Sequence, residues 1–237
     1  MSGLRPEHVA FLGECSTTTQ DSRTDVQVLC WPTVPATWSM LAHALEELQA
    51  LRGNIAGEPG LTWTQDAAPQ LSRPVDREPN AVESTLAALI RRLPLRFAVA
   101  VVEHQTGRSK GSDIVRHRSL FSGCLMAYEA YLKSSRQAAC RLVIAAAGDA
   151  VVNELRRTAF DEALSQLTGT ANLKGLELGF WSELATPLPM EVSQLAAVAV
   201  GRHLRQPSEA NPIFETVRAH LAPPSRFHAM GQKKRSK

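Results

Sequence analysis

The sequence predicts a single α/β domain with a mixed sheet flanked by helices. Short apolar runs rich in β-branched residues, typical of strands, alternate with segments whose apolar residues recur every three or four positions, typical of helices. The length of 237 residues and the hydrophobic fraction of 44% suit one sizeable core. We therefore expect one domain over residues 1–225, followed by a basic, flexible tail over residues 226–237.

The first predicted elements are two strands and a helix. Residues 8–14 and 26–31 are strand-like, and the polar, turn-forming residues between them predict a hairpin. From Trp38 to Leu51 apolar residues recur with helical spacing, and Gly53 marks the end of this helix.

A long polar connection follows this helix. Residues 54–80 are rich in Pro, Gly and charged residues, which predicts a loop or insertion within the domain. A helix is then expected over 82–93. The nearly continuous apolar run 95–103 predicts a strand buried on both faces, and after a basic loop a helix is expected over 113–135.

The second half of the chain alternates strands and helices. The patterns predict, in chain order, a buried strand over 139–149, a helix over 151–167, a strand over 173–181, and helices over 190–205 and 211–221. Because strands alternate with helices in this way, the sheet should be mixed and covered on both faces.

Composition limits the class of protein. The net charge of +3 is too mild to identify a nucleic-acid partner. The first residues lack the pattern of a signal peptide, and no segment has the apolar length of a membrane span, so we expect a cytoplasmic protein without a membrane partner. The cysteines stand far apart in apolar stretches, which predicts buried thiols at Cys15, Cys30, Cys124 and Cys140.

Short motifs near both ends of the chain indicate a family. The opening FLGECS, the TWT around Trp63 and the late helix EVSQLAAVAVGRHLR, followed by NPIFETVRAHL, resemble an uncharacterised bacterial and phage family of ribonuclease H-like proteins. Members of that family open with a strand reading about F-I-D-E-S-G and close with a helix reading about L-Q-L-A-D-L-V-A. The resemblance spans most of residues 8–221 and implies a ribonuclease H-like fold.

The chain departs from both motifs at an aspartate. In the opening strand Gly13 stands where the family has Asp, while the segment keeps a glutamate and a serine, Glu14 and Ser16. In the closing helix Gln194 matches, whereas Ala197 replaces the second Asp. Ribonuclease H-like nucleases use two divalent ions held by carboxylates, and neither glycine nor alanine offers a side-chain ligand. The resemblance therefore implies Mg²⁺ or Mn²⁺ if the protein is active, and no cofactor if it is inactive.

Three acids follow predicted strands and are the candidate catalytic residues. Glu14, Glu103 and Asp149 follow the first, third and fourth strands, and open α/β sheets place ligands at the carboxyl ends of their strands. Glu14 and Asp149 are the candidate metal ligands. Structural alternatives remain open, namely a surface or hydrogen-bonding role for Glu14 and a helix N-cap for Asp149.

Two basic segments are candidate nucleic-acid contacts. The loop HQTGRSKGS carries Arg108 and Lys110, and the tail carries Lys233, Lys234 and Arg235. Both segments also fit ordinary solvated chain. The chain has no G-x-S-x-G elbow, no Walker phosphate loop and no zinc spacing of His and Cys.

Two functions remain open from the sequence. The missing aspartates favour a degenerate, inactive nuclease-like protein, or pseudoenzyme, that binds nucleic acid or a protein partner. The alternative is a metal-dependent nuclease or phosphodiesterase that keeps activity through Glu14 and Asp149. The oligomeric state does not follow from the sequence.

Overall fold

A computed structural model describes residues 6–18, 22–56, 79–105, 113–135, 141–167, 171–182, 186–222 and 228–230. The strands are β1 (Val9–Thr18), β2 (Ser22–Pro32), β3 (Leu95–Gln105), β4 (Leu142–Ala146), β5 (Glu177–Trp181) and β6 (His228–Met230). The helices are α1 (Trp38–Ala56), α2 (Pro79–Arg92), α3 (Asp113–Ser135), α4 (Ala150–Gln166), α5 (Leu188–Arg205) and α6 (Pro212–Ala219). Short 3₁₀ helices lie at Pro6–His8 and Ala171–Leu173.

The strands form one mixed sheet in the order β5-β4-β1-β2-β3-β6. β2 is antiparallel to both β1 and β3, which confirms the predicted hairpin. β4 is parallel to β1, β5 is parallel to β4, and β6 is parallel to β3. The predicted α/β class with a mixed sheet flanked by helices is therefore confirmed.

Helices cover both faces of this sheet. One apolar core lies between the sheet and α1, α2, α5 and α6, and we call this side the α5 face. A second core lies between the sheet and α3 and α4, and we call this side the α3/α4 face. β3 is buried on both faces, as predicted, because Phe97 and Val99 enter the first core while Ala98 and Ala100 enter the second.

β4 differs from the prediction. The run 139–149 predicts a fully buried strand, but the strand is only Leu142–Ala146 and burial alternates along it. Val143 lies in the core of the α3/α4 face. On the other face the partly buried Ile144 packs in a small cluster that includes Met190, near the start of α5. The α5 face is therefore less well covered over β4 than over the centre of the sheet.

The remaining boundaries differ by a few residues. α1 continues past its predicted end at Leu51 to Ala56. β2 begins at Ser22, four residues earlier than predicted, because it pairs along its length with β1 and β3. Most of the predicted insertion, residues 57–78, lies outside the described residues.

The predicted tail contributes to the sheet. His228–Met230 form β6 beside β3, while residues 231–237 lie outside the described residues. Among the helices that the structure describes, none is long and apolar enough to cross a membrane.

Candidate functional site

Polar side chains gather on the α3/α4 face where β1 and β2 pair. Side chains alternate between the two faces of a sheet, so Glu14 and Ser16 of β1 share a face. The register places Gln27 opposite Glu14 and Asp25 opposite Ser16. Four polar side chains therefore meet beside the apolar core of this face.

The Glu14 carboxylate is held by two neighbours. Gln27 donates from Nε2 to Oε1 at 3.0 Å, and Arg156 of α4 donates from its guanidinium to Oε2. Arg156 also donates to the carbonyl of Ala146 at 2.9 Å, which ties α4 to the end of β4. The Glu14 side chain is 24% exposed. Glu14 is thus a partly buried carboxylate whose charge is paired with a guanidinium.

Gln194 of α5 bonds the backbone of Glu14. The pairing between β1 and β4 ends at Phe11, so backbone groups farther along this edge of β1 need other partners. The Gln194 side chain accepts from the N–H of Glu14 at 3.1 Å and donates to its carbonyl at 2.8 Å. This motif residue therefore docks α5 on the sheet.

Asp25 is a deeply buried acid that the sequence analysis did not identify. Its Oδ1 accepts from the Ser16 hydroxyl and from Nε of Arg23 at 3.0 Å. Its Oδ2 lies 3.6 Å from Nε of Arg116 and 3.8 Å from Nε2 of His104. The signal in the sequence is a charged residue at the start of the apolar segment DVQVLC, which lies inside β2.

His117 of α3 lies between Arg116 and Glu14. Nε2 of His117 is 3.2 Å from a guanidinium nitrogen of Arg116, and Nδ1 is 3.8 Å from Oε1 of Glu14. Burial lowers the pKa of His117; Glu14 opposes this shift, and Arg116 and Arg156 reinforce it. The imidazole is therefore neutral at pH 7.

These contacts join into one set of side chains, which we call the polar network. It consists of Glu14, Ser16, Arg23, Asp25, Gln27, His104, Arg116, His117 and Arg156. Its three arginines face two carboxylates within the network, Glu14 and Asp25, and the more exposed Asp113 lies 2.8 Å from Arg116 at its border. Arginines and carboxylates are therefore equal in number once Asp113 is counted.

Several buried polar atoms of the network have no hydrogen-bond partner among the described residues. They are Asp25 Oδ2, Gln27 Oε1, His104 Nε2, His117 Nδ1 and Arg156 Nε. Buried polar groups are normally paired, so each exception calls for an explanation such as a catalytic role or a bound water or ion. This concentration identifies the network as the candidate functional site.

The two positions where the resembling family carries aspartate are packing positions on the α5 face. A Cβ added at Gly13 would overlap the backbone carbonyl of Ser193 on α5. Ala197 is fully buried in the core between α5 and the sheet. With α5 in this place, neither position has room for a carboxylate.

The other two candidate acids do not join Glu14. Glu14 and Ala100 align with the same residue of β2 and share a face, so Glu103, three residues beyond Ala100, points to the opposite face. Asp149 is exposed and accepts from the backbone N–H of Val152 at 2.8 Å, as the N-cap of α4. The N-cap alternative is confirmed for Asp149.

The candidate nucleic-acid contacts lie outside the described residues; they are Arg108, Lys110, Lys233, Lys234 and Arg235. Within the ranges that the structure describes, no group of three or more His, Cys, Asp or Glu side chains is placed to hold a metal ion.

Buried thiols are confirmed at three cysteines. Cys15, Cys30 and Cys124 are buried as reduced thiols. Burial raises the pKa of Cys15 to about 11 and that of Cys124 to about 12, so neither thiol ionises near neutral pH. Cys140 lies outside the described residues.

The network lacks the geometry of a hydrolase triad. Ser16 donates directly to Asp25, and His104 lies on the far oxygen of that carboxylate, so no imidazole stands between hydroxyl and acid. At the surface end of the network the side chain of Arg23 is 39% exposed. Among the arginines of the network, Arg23 is therefore the one most accessible to solvent, since the side chains of Arg116 and Arg156 are mostly buried.

Comparison of the chain with models of protein families, with curated proteins and with solved structures found no match. The assignment of a function therefore depends on the residues and contacts described above.

Proposed function

We propose that this chain is a non-catalytic, ribonuclease H-like protein that binds nucleic acid through the face carrying the polar network. The order of elements supports the fold part of this proposal. A hairpin, a helix, a long connection, a third strand and then alternating helices and strands follow one another as in the family that the motifs resemble.

The pairing of Glu14 is the observation that carries the non-catalytic part. Glu14 is the acid that the opening motif retains, and both of its oxygens accept hydrogen bonds, one from Gln27 and one from Arg156. Two-metal hydrolysis needs several carboxylates free to bind divalent cations, and a guanidinium beside the carboxylate opposes the entry of a cation. The remaining motif positions, Gly13 and Ala197, are packed against or inside α5.

The surface end of the network supports the binding part. Arg23 and His104 are cross-strand partners on β2 and β3, close to the end of β3 at Gln105. The chain then runs through residues 106–112, which add Arg108 and Lys110 and no acid, before α3 begins at Asp113. Arg108 and Lys110 add two positive charges to this part of the sequence. Arginine and lysine side chains attract phosphates without reading sequence.

Binding can be tested by fluorescence anisotropy with labelled single- and double-stranded DNA and RNA. Arg23→Gln should weaken binding by about threefold or more and reduce the slope of log affinity against log salt by about one. Arg92→Gln is a matched control, because Arg92 is 64% exposed and pairs with Glu47 on the other side of the sheet. Wild-type protein that binds none of the four probes, or equal losses in both variants, would contradict the proposal.

Catalysis is tested with the same probes in Mg²⁺ and in Mn²⁺. We expect no cleavage by the wild-type chain, and thermal melting of each variant checks that it folds. Cleavage that disappears in Glu14→Ala and in Asp149→Ala would replace the proposal with a metal-dependent nuclease or phosphodiesterase. Asp149→Asn, which keeps the N-cap oxygen, separates loss of a metal ligand from loss of helix stability.

A further inference from the structure

The position of His117 determines which of its ring nitrogens carries the proton. A guanidinium has only donors, so at the 3.2 Å contact with Arg116 the Nε2 atom of His117 must accept. In the neutral ring the proton is therefore on Nδ1. That N–H is buried, has no hydrogen-bond partner among the described residues, and lies 3.8 Å from Oε1 of Glu14.

Protonation of this ring would change both contacts. Nε2 would then carry a proton and could no longer accept from Arg116, and two cations would face each other. At the same time the charged ring would be attracted to Glu14, which competes with the bond from Arg156 to that carboxylate. One proton therefore weakens one contact of Arg116 and one contact of Arg156, and it adds one positive charge to the network.

We infer that His117 is a proton switch for nucleic-acid binding, whose protonation adds a positive charge, removes the contact of Arg116 with Nε2 and increases the affinity of the network for phosphate. This inference rests on the proposed function, because it assigns a regulator to the same surface. It makes binding tighter in acid.

Charged groups on three elements face the switch. Glu14 approaches from β1, Arg156 from α4, and Arg116 and Asp113 from α3 itself. Glu14 and Asp113 favour the protonated ring, whereas the two arginines and burial disfavour it, with burial the largest effect on the pKa of His117. The switch therefore operates below the ordinary histidine pKa of about 6.5.

The same shift has a consequence for stability. The pKa of His117 is lower in the folded chain than in the unfolded chain, so the unfolded chain takes up the proton first. This residue therefore contributes no loss of stability above the unfolded pKa and a growing loss as the pH falls below it. Binding must be measured above the acid unfolding transition.

The test is the affinity of the full chain for fluorescein-labelled single- and double-stranded oligonucleotides at constant ionic strength. Acidification from about pH 7.5 to about pH 5.5 should tighten wild-type binding about threefold to fivefold, the effect of one added, partly screened charge. His117→Gln, which cannot be protonated, should bind equally at both values. His43→Gln, on α1 with a side chain 74% exposed, should keep the wild-type response.

The outcomes separate this inference from the proposed function. A His117→Gln chain that keeps the wild-type pH response, or a response that is lost only in His104→Gln, overturns the switch while nucleic-acid binding stands. Failure of the wild-type chain to bind either probe at both pH values overturns the proposed function and the switch with it. If His117→Gln fails to fold, His117→Asn takes its place. ¹⁵N NMR of the neutral ring gives a second test, since a proton on Nε2 would also overturn the switch.

Discussion

The two faces of the sheet differ in chemistry at neighbouring residues of one strand. On the α5 face Gly13 lies against the backbone of α5 and Cys15 is buried in apolar surroundings. On the α3/α4 face Glu14 and Ser16 belong to a network of paired charges. Neighbouring residues of one sequence motif in a strand therefore belong to two different sites, because alternate residues lie on opposite faces of the sheet.

This difference bears on the two positions where the family that the motifs resemble carries aspartate. Gly13 and Ala197 both lie on the α5 face, where α5 packs directly against the sheet. Their small side chains permit that close packing, and Gln194 completes it by bonding the backbone of Glu14. Glu14, the acid of the opening motif, lies on the α3/α4 face near the arginines of the polar network. The following predictions test how far the two faces are independent, from the largest expected effect to the smallest.

Ala197→Asp should destabilise the packing of the α5 face. An unpaired carboxylate in this core should lower the free energy of unfolding at pH 7 by about 4 kcal/mol. Burial would raise the folded pKa of the introduced carboxyl above its unfolded value of about 3.9, so the penalty should grow as pH rises through the folded pKa and shrink toward acid. Urea unfolding at several pH values measures this, with Ala197→Asn as the uncharged control. An equal, pH-independent loss in both variants would show that charge is not the cause.

Gly13→Ala should be nearly as damaging. The added methyl group meets backbone atoms of Ser193, which cannot move without shifting α5, and we expect a loss of about 3 kcal/mol or more. Gly179→Ala in β5 is the matched control, because the nearest contact of its new Cβ would be the flexible end of Leu142 at 3.2 Å, and the nearest backbone atom would lie at an ordinary 3.9 Å. Equal thermal stability of the two variants would mean that α5 does not sit as closely on β1 as described.

A double-mutant cycle on Glu14 and Arg156 tests the ion pair in the polar network. Glu14→Gln and Arg156→Met should each destabilise the chain by about 2 kcal/mol. The double variant should lose less than the sum, because either substitution alone already removes the charged hydrogen bond between the two side chains. Urea unfolding of the four chains provides the coupling energy. Strict additivity would show that the two side chains do not interact in solution.

Asp149→Ala should have the smallest effect, about 1 kcal/mol, from loss of the N-cap of α4. Asp149→Asn should retain most of the stability, since its side-chain oxygen can accept the same bond from Val152. Thermal unfolding measures both. A loss in Asp149→Asn as large as that in Asp149→Ala would contradict a capping role.

Much of the fold could be predicted from the sequence because periodicity reports local burial. The runs that became β3 and α5 have the continuous apolar character or helical spacing that their positions require. The partial exposure of β4 could not be predicted in this way, since it depends on where α5 crosses the sheet. Burial by a distant helix leaves no mark on the spacing of residues within the strand.

The site was harder to predict than the fold. Glu14 could be identified because it lies in the opening motif and ends the first predicted strand, but its partners Arg156 and His117 come from helices more than one hundred residues away along the chain. Asp25 could have been singled out as an acid next to an apolar strand segment. The separation of Glu103 from Glu14 depends on the register of three strands, which single-sequence patterns do not determine.

Binding of Mn²⁺ to the purified full chain, followed by electron paramagnetic resonance, tests the central claim most directly. The pairing of Glu14 with Arg156 predicts that wild-type protein, Glu14→Ala and the control Glu47→Ala, altered in α1, all bind the ion equally weakly. A tight, stoichiometric Mn²⁺ site that disappears in Glu14→Ala but not in Glu47→Ala would contradict it, and would show that this carboxylate is available to a metal.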